Sequence, residues 1–172
     1  MTPLRLLKTA IVPALTELAT HSGIPDTFDA RRFLLAIALQ ESALRHRRQV
    51  VAGGAENGPA ASFWQFEKGG GCVGVLSHKA VAAHAQFLCE AYNVQPTPAG
   101  LWEGMRYQDI VAAGAARLLI YTLPSALPRT TAQGWDQYLA AWRPGKPHAE
   151  AWADNWSRAT AAVESYEEAE HV

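Results

Sequence analysis

A chain of 172 residues can bury a hydrophobic core without disulfides or metal, and its length fits one domain spanning residues 1–172. It is 49% hydrophobic and 18% charged with a formal net charge of -1, which is ordinary for a globular protein and excludes a global electrostatic footprint for nucleic acid. Alanine is abundant and β-branched residues are sparse, so a mainly α fold is expected.

Thr2-Pro3 reads as an N-cap followed by proline at the first helical position. Leu4, Leu7, Ile11, Leu15 and Leu18 recur at helical spacing, Pro13 is expected to kink or split that helix, and Gly23-Ile24-Pro25 ends it. Pro13 and Glu17 also interrupt the stretch after Arg5 and Lys8, so no secretory signal is expected. No run of ~20 apolar residues is present, so no membrane insertion is expected.

Asp26, Thr27 or Asp29 can cap a second helix whose apolar face is Phe33, Leu34, Ile37 and Ala38. The next position on that face is Glu41, a carboxylate continuing an apolar stripe near a helix end. The basic run Arg45-His46-Arg47-Arg48 comes next, either a solvated helix end or a patch facing an anionic polymer. From Val50 to Gly71, glycines and Pro59 disfavour helix over most of the stretch. At most a small irregular β segment is expected there, around the aromatic-rich Ser62-Phe63-Trp64-Gln65-Phe66-Glu67.

Helical patterns resume with Ser77 as the cap of a helix through about Tyr92. Thr97-Pro98 opens a short turn around Leu101 and Trp102, and a helix is expected over Tyr107–Tyr121. Pro124 and Pro128 mark a loop, Thr131 to Trp142 reads as a short helix, and Arg143-Pro144-Gly145-Lys146-Pro147 stops it. A last helix is expected from about Pro147 towards Glu168, its acidic end from Glu164 to Glu170 solvated. Cys72 and Cys89 read as two buried thiols, although they could pair. A zinc site made of Cys72, His78, His84 and Cys89 is set aside, because the spacing matches no zinc module.

The chemistry suggested by Glu41 is proton delivery. A carboxylic acid can protonate a poor leaving-group oxygen near neutral pH if burial raises its pKa. Apolar neighbours and the negative end of the helix dipole both push Glu41 in that direction. Spacing alone also admits a glutamate at the rim of a core stripe, reaching water through its own stem.

Four blocks carry a resemblance. Ala36-Ile37-Ala38-Leu39-Gln40-Glu41-Ser42 resembles the helix end bearing the Glu-Ser pair of the soluble lytic transglycosylase and goose-type lysozyme superfamily. Pro59-Ala60-Ala61-Ser62-Phe63-Trp64-Gln65 stands where that family has Gly-Ala-x-Gly-Leu-Met-Gln. Ala112 to Leu119 resembles the family's core helix, and Ala141-Trp142-Arg143-Pro144-Gly145 loosely resembles its Ala-Tyr-Asn-Ala-Gly block. Phe-Trp-Gln-Phe-Glu with Gly69-Gly70-Gly71 is similar to phage-encoded or tail-associated members.

The resemblance implies a lysozyme-like domain that cleaves the MurNAc-GlcNAc β-1,4 bond of peptidoglycan. Glu41 would be general acid and then general base, Ser42 would orient Glu41 or the substrate, and Ser62 and Gln65 would face the sugar cleft. Trp142 would stand where the family has a tyrosine close to the acid, offering an indole N–H and a stacking face but no hydroxyl. Lytic transglycosylases work with one glutamate and yield a 1,6-anhydro product. An inverting hydrolase needs a second carboxylate ~6.5–9.5 Å away, for which Glu67 and Glu56 are the candidates. No cofactor and no metal are expected. The expected partner is the glycan strand, with other virion or tail proteins as further partners; the expected location is cytoplasmic in the producing cell or on a virion, acting at the wall. Pro59 and Ser62 in place of glycines, and Arg143 in place of asparagine, keep a second reading open: a virion structural or cell-wall-binding protein that retains the fold without activity. An open cleft joining Glu41, Gln65 and Trp142 would separate the two.

Overall fold

A computed structural model describes residues 1–170. The chain is mainly helical, with one small antiparallel sheet. Helix α1 (Pro3–Leu6) passes through a π-helical turn (Leu7–Ile11) into α2 (Val12–Ser22). The Thr2 hydroxyl accepts the Arg5 N–H, which is the expected cap. Helical winding continues through Pro13, but regular α-helix is interrupted just before it by the π turn that separates α1 from α2. The widened turn lies directly before it, where a regular α turn would press the proline ring against the preceding carbonyl.

Helix α3 (Phe28–Ser42) starts at Thr27, whose hydroxyl accepts the Ala30 N–H. The predicted four-residue stripe is too narrow a description: every residue from Arg32 to Leu39 is buried. A helix enclosed on all sides is a core element, and α3 packs against α9, α7 and the N-terminal π turn. Beyond Leu39 its last three residues, Gln40, Glu41 and Ser42, regain the partial exposure that Phe28, Asp29 and Arg31 have at its start. The burial gradient therefore ends at Glu41.

Strands β1 (Ala60–Ala61) and β2 (Phe66–Glu67) pair antiparallel, with Ala60 opposite Glu67 and Ala61 opposite Phe66. Helical winding resumes earlier than its glycines suggest, in a π turn (Lys68–Cys72) leading into α4 (Val73–Ser77). Ser77 closes α4 instead of opening a helix: its hydroxyl donates back to the Val73 carbonyl. The next helix, α5 (Ala82–Ala91), has no side-chain cap.

Thr97-Pro98 opens a full helix, α6 (Pro98–Tyr107), not a short turn. Tyr107 ends α6 and is largely exposed, so α7 (Asp109–Tyr121) begins two residues later than predicted. Like α3, α7 is buried around its whole circumference from Val111 to Leu118. Helix α8 (Thr131–Trp142) has the predicted bounds, and α9 (Ala149–Glu170) completes the fold. The acidic end of α9 is not wholly solvated, since Glu167 pairs with Arg31 at 3.4 Å.

Helix α8 brings the C-terminal half of the chain up to the exposed end of α3. Thr130 and Gln133 form a reciprocal capping box that fixes its start. Gly134 then lets the helix lie against α9, because a Cβ there would meet the Trp156 ring and lie 3.0 Å from Trp152 Cζ2. Those indoles are held in turn by Phe33 and Trp135. We expect Gly134→Ala to lower the thermal unfolding midpoint by a few degrees. Overpacking of about 1–3 kcal/mol outweighs the helix-propensity gain of about 1 kcal/mol. A midpoint at or above wild type would show that α8 has room to shift.

Candidate active site

Glu41 is where the enclosed helix α3 reaches water. Its carboxyl is pushed up from 4.5 to about 7 by burial, against an opposing hydrogen bond from Tyr138. That bond is short: the Tyr138 hydroxyl donates to Glu41 Oε1 at 2.6 Å. Tyr138 is itself only 3% exposed. Burial, reinforced by the neighbouring carboxylate, raises the phenol far above its ordinary value, so it stays protonated and acts only as a donor to that carboxylate.

The tyrosine is one that the motif resemblance misses. The resemblance assigns Trp142 to the tyrosine's place and implies that the hydroxyl contact is lost. The structure supplies the hydroxyl from Tyr138, one helical turn earlier on the same face of α8. The signal was present in the sequence as a tyrosine four residues before Trp142. Tyr138 lies between two indoles, its ring stacked 5.4 Å from Trp152 and 6.5 Å from Trp142.

Trp142 has a different duty from the one expected of its N–H. Its indole donates to the Trp64 carbonyl at 2.8 Å, so that donor is not free for a sugar. Trp64 in turn donates from its own ring to the Leu34 carbonyl at 2.9 Å. These two bonds tie α8 to the Ser62–Glu67 segment and that segment to α3. Phe66 packs edge-on against Trp142, with ring centroids 5.8 Å apart.

Above this layer lies an open cleft of about 1150 Å³, bordered by Glu41, Ser42, Gln65, Glu67, Trp142 and the loops around them. Gln65 reaches it from a left-handed backbone conformation (φ 51°), with its amide nitrogen donating to the Ser62 carbonyl at 2.7 Å. Gln65 and Glu67 both reach the cleft, although Gln65 lies in the turn before β2 and not in an extended run with Glu67. Arg45, His46 and Arg48 border it too, whereas Arg47 turns aside into a bidentate pair with Asp109 at 2.8 and 2.7 Å.

Three expectations are corrected. Ser62 is fully buried, so it cannot face a sugar. It is a turn residue with φ 67°, and its hydroxyl accepts the Trp64 N–H at 3.2 Å. Ser42 borders the cleft, but its hydroxyl donates to the Ala38 carbonyl at 2.8 Å and accepts the Leu44 N–H at 3.2 Å. It thus finishes the helix and does not orient Glu41. Glu56 pairs with His46 Nδ1 at 2.7 Å and is not among the residues that border the cleft, which leaves Glu67 as the second carboxylate there.

Cys72 and Cys89 are buried free thiols, pushed up by burial to about 12 and about 11, and play no part in the cleft. Trp102, Trp152 and Trp156 are buried, Trp135 is half-buried, and of the tryptophans only Trp142 borders the cleft. Among the described residues, no three His, Cys, Asp or Glu side chains are grouped to hold a metal ion, and no helix is long and apolar enough to cross a membrane.

The fold and cleft thus define a mainly α protein with a half-buried, hydrogen-bonded glutamate at an open groove. Compared with known families, curated proteins and solved structures, the chain matches no family model, no curated protein and no solved structure.

Proposed function

We propose that the protein is a glycosidase of bacterial cell wall, cutting the MurNAc-GlcNAc β-1,4 bond with Glu41 as its only essential acid–base group. The observation that carries this reading is the state of Glu41. A carboxyl pushed to about 7 by burial, opening on a cleft and oriented by Tyr138, keeps a large protonated fraction near neutral pH and can start a reaction as an acid. Glu41, Gln65 and Trp142 share that cleft, which favours catalysis over a structural role.

In this reading Glu41 protonates the glycosidic oxygen as the bond from the muramyl C1 breaks. The resulting carboxylate then removes the proton of the muramyl C6 hydroxyl as that oxygen closes on C1. The proton returns to Glu41, the anhydro end and the free GlcNAc end leave, and no water is consumed. Tyr138 stabilises the carboxylate between the two steps, since its bond strengthens when the acceptor is charged. Trp142 offers a sugar the part of its ring that Tyr138 and Phe66 leave uncovered, and Gln65 its side chain to hydroxyls. A water-consuming version would require Glu67 as the base.

Mass spectrometry of fragments released from purified peptidoglycan tests the proposal. Anhydro-muropeptides are expected from wild type. Reducing-end muropeptides would shift the mechanism to hydrolysis and implicate Glu67. A folded wild type that releases nothing would leave the structural reading.

A further inference from the structure

Cations gather at the cleft although the chain as a whole carries a net charge of -1. Arg45 and Arg48 reach it from the loop after α3, and Arg143 and Lys146 from the loop between α8 and α9. Among the described residues, none of the four has a carboxylate within ion-pair distance. Elsewhere in the molecule, Arg31, Arg32, Arg47 and Arg106 are all paired. Among the described residues, Arg5, Lys8, Lys68, Lys79 and Arg117 are also without an ion-pair partner but do not border the cleft, so four of the nine unpaired cations lie where a ligand would, and like charges held together there repel one another until an anion arrives.

Two further features suit that arrangement. Arg143 occupies the left-handed C-cap of α8 (φ 49°), a position where glycine is free of strain and a side chain is not. The strain is retained at the rim of the cleft. The loop carrying Arg143 and Lys146 is also tied down beside the acid: Gln40 donates to the His148 carbonyl at 2.9 Å, and Asn155 donates to Gln40 Oε1 at 3.0 Å. Glu41 itself is shifted by burial and by Tyr138, not by any of these cations, so they flank the acid without neutralising it.

We propose that Arg45, Arg48, Arg143 and Lys146 bind the free carboxylates of the peptide side chains that branch from the glycan strand, making the cleft selective for stem-bearing sugar. The inference rests on the cell-wall reading above. Stem carboxylates recur with each disaccharide and so keep a constant register with the bond being cut. Phosphate polymers are joined to the wall only at scattered points and do not.

The test uses the Glu41→Gln protein, so that strands stay intact, and soluble glycan strands either bearing stems or stripped of them by an amidase, which leaves one lactyl carboxylate on each muramyl residue. Calorimetry at low salt is expected to show stem-bearing strands bound about tenfold more tightly, an advantage that shrinks as salt rises. Adding Arg45→Gln, Arg143→Gln and Lys146→Gln should abolish the advantage while affinity for stripped strands changes less than about twofold. Arg48 is left in place, because it holds the Gly58 carbonyl at 3.2 Å. The three substituted side chains are exposed, so an unfolding midpoint at or above that of the parent is expected. Equal binding of both strands would overturn the stem-carboxylate inference and leave the cell-wall reading standing. Binding of neither strand would overturn it as well, with muropeptide release deciding the cell-wall reading separately. Tighter binding to stripped strands carrying phosphate polymer than to stem-bearing strands would overturn it in favour of phosphate.

Discussion

Glu41→Gln is expected to lower turnover on peptidoglycan by about 100- to 10,000-fold, the usual contribution of a positioned general acid–base group. The same change should stabilise the protein at alkaline pH. The carboxyl stands at about 7 in the fold, against an ordinary value of 4.5 in the unfolded chain. Below pH 4.5 it is protonated in folded and unfolded chains alike, and the two proteins should be equally stable. As pH rises towards 7 the unfolded chain gives up this proton first, so wild type loses stability while the glutamine protein does not. Above the folded pKa the difference is complete, about 3 kcal/mol at roughly 1.4 kcal/mol per pKa unit. Glutamine can still accept the Tyr138 hydrogen bond, so the contact itself is kept. Denaturant midpoints at pH 4, 6 and 9 for both proteins check the sign. Parallel curves would mean that Glu41 is as well solvated as a surface carboxylate, and the central assignment would fall with them.

Tyr138→Phe should move the pH dependence of catalysis rather than simply reduce it. The hydroxyl donates to Glu41 and holds its pKa below the value that burial alone would set. Hydrogen bonds to charged groups are worth about 1.5–3 kcal/mol. Losing this one should displace the descending limb of the pH–rate profile to higher pH by about one pH unit or more. At acidic pH, where Glu41 is already protonated, the rate should fall less than about tenfold. Stability at acidic pH should change little, because the phenyl ring keeps its stacking between Trp142 and Trp152. A lowered plateau with an unmoved limb would make Tyr138 a packing residue only. Trp142→Phe offers a contrast, since it removes the bond to the Trp64 carbonyl without touching the acid. It should destabilise the Ser62–Glu67 segment and leave the limb in place.

The place of Glu41 at the margin of the core was legible in the sequence because helix periodicity is a local rule. An apolar stripe at three- and four-residue spacing that ends in a carboxylate places that carboxylate at the margin of a core, whatever the core is made of. Local rules also marked Thr2 as a cap, Thr27 as one of three candidate caps with Asp26 and Asp29, Gly23 as a stop and the span of α8. They failed where two local signals compete. Ser77 is equally able to end a helix as to begin one, and Tyr107 continues an apolar pattern across the break between α6 and α7.

What tertiary structure decided is which side chains answer one another across the fold. Tyr138 and Glu41 are 97 residues apart, and no spacing rule relates them. Their meeting depends on how closely α8 approaches α9 over Gly134, on two tryptophan N–H bonds that fasten the 62–67 segment, and on the register of a helix begun by a capping box. Ser42 and Ser62 show the converse. Both have the residue type that chemistry would use, but neighbouring backbone groups satisfy their hydroxyls. The polar group closest in sequence to a candidate acid is often claimed by the main chain, because a helix end and a tight turn leave unpaired N–H and C=O groups that must be satisfied first.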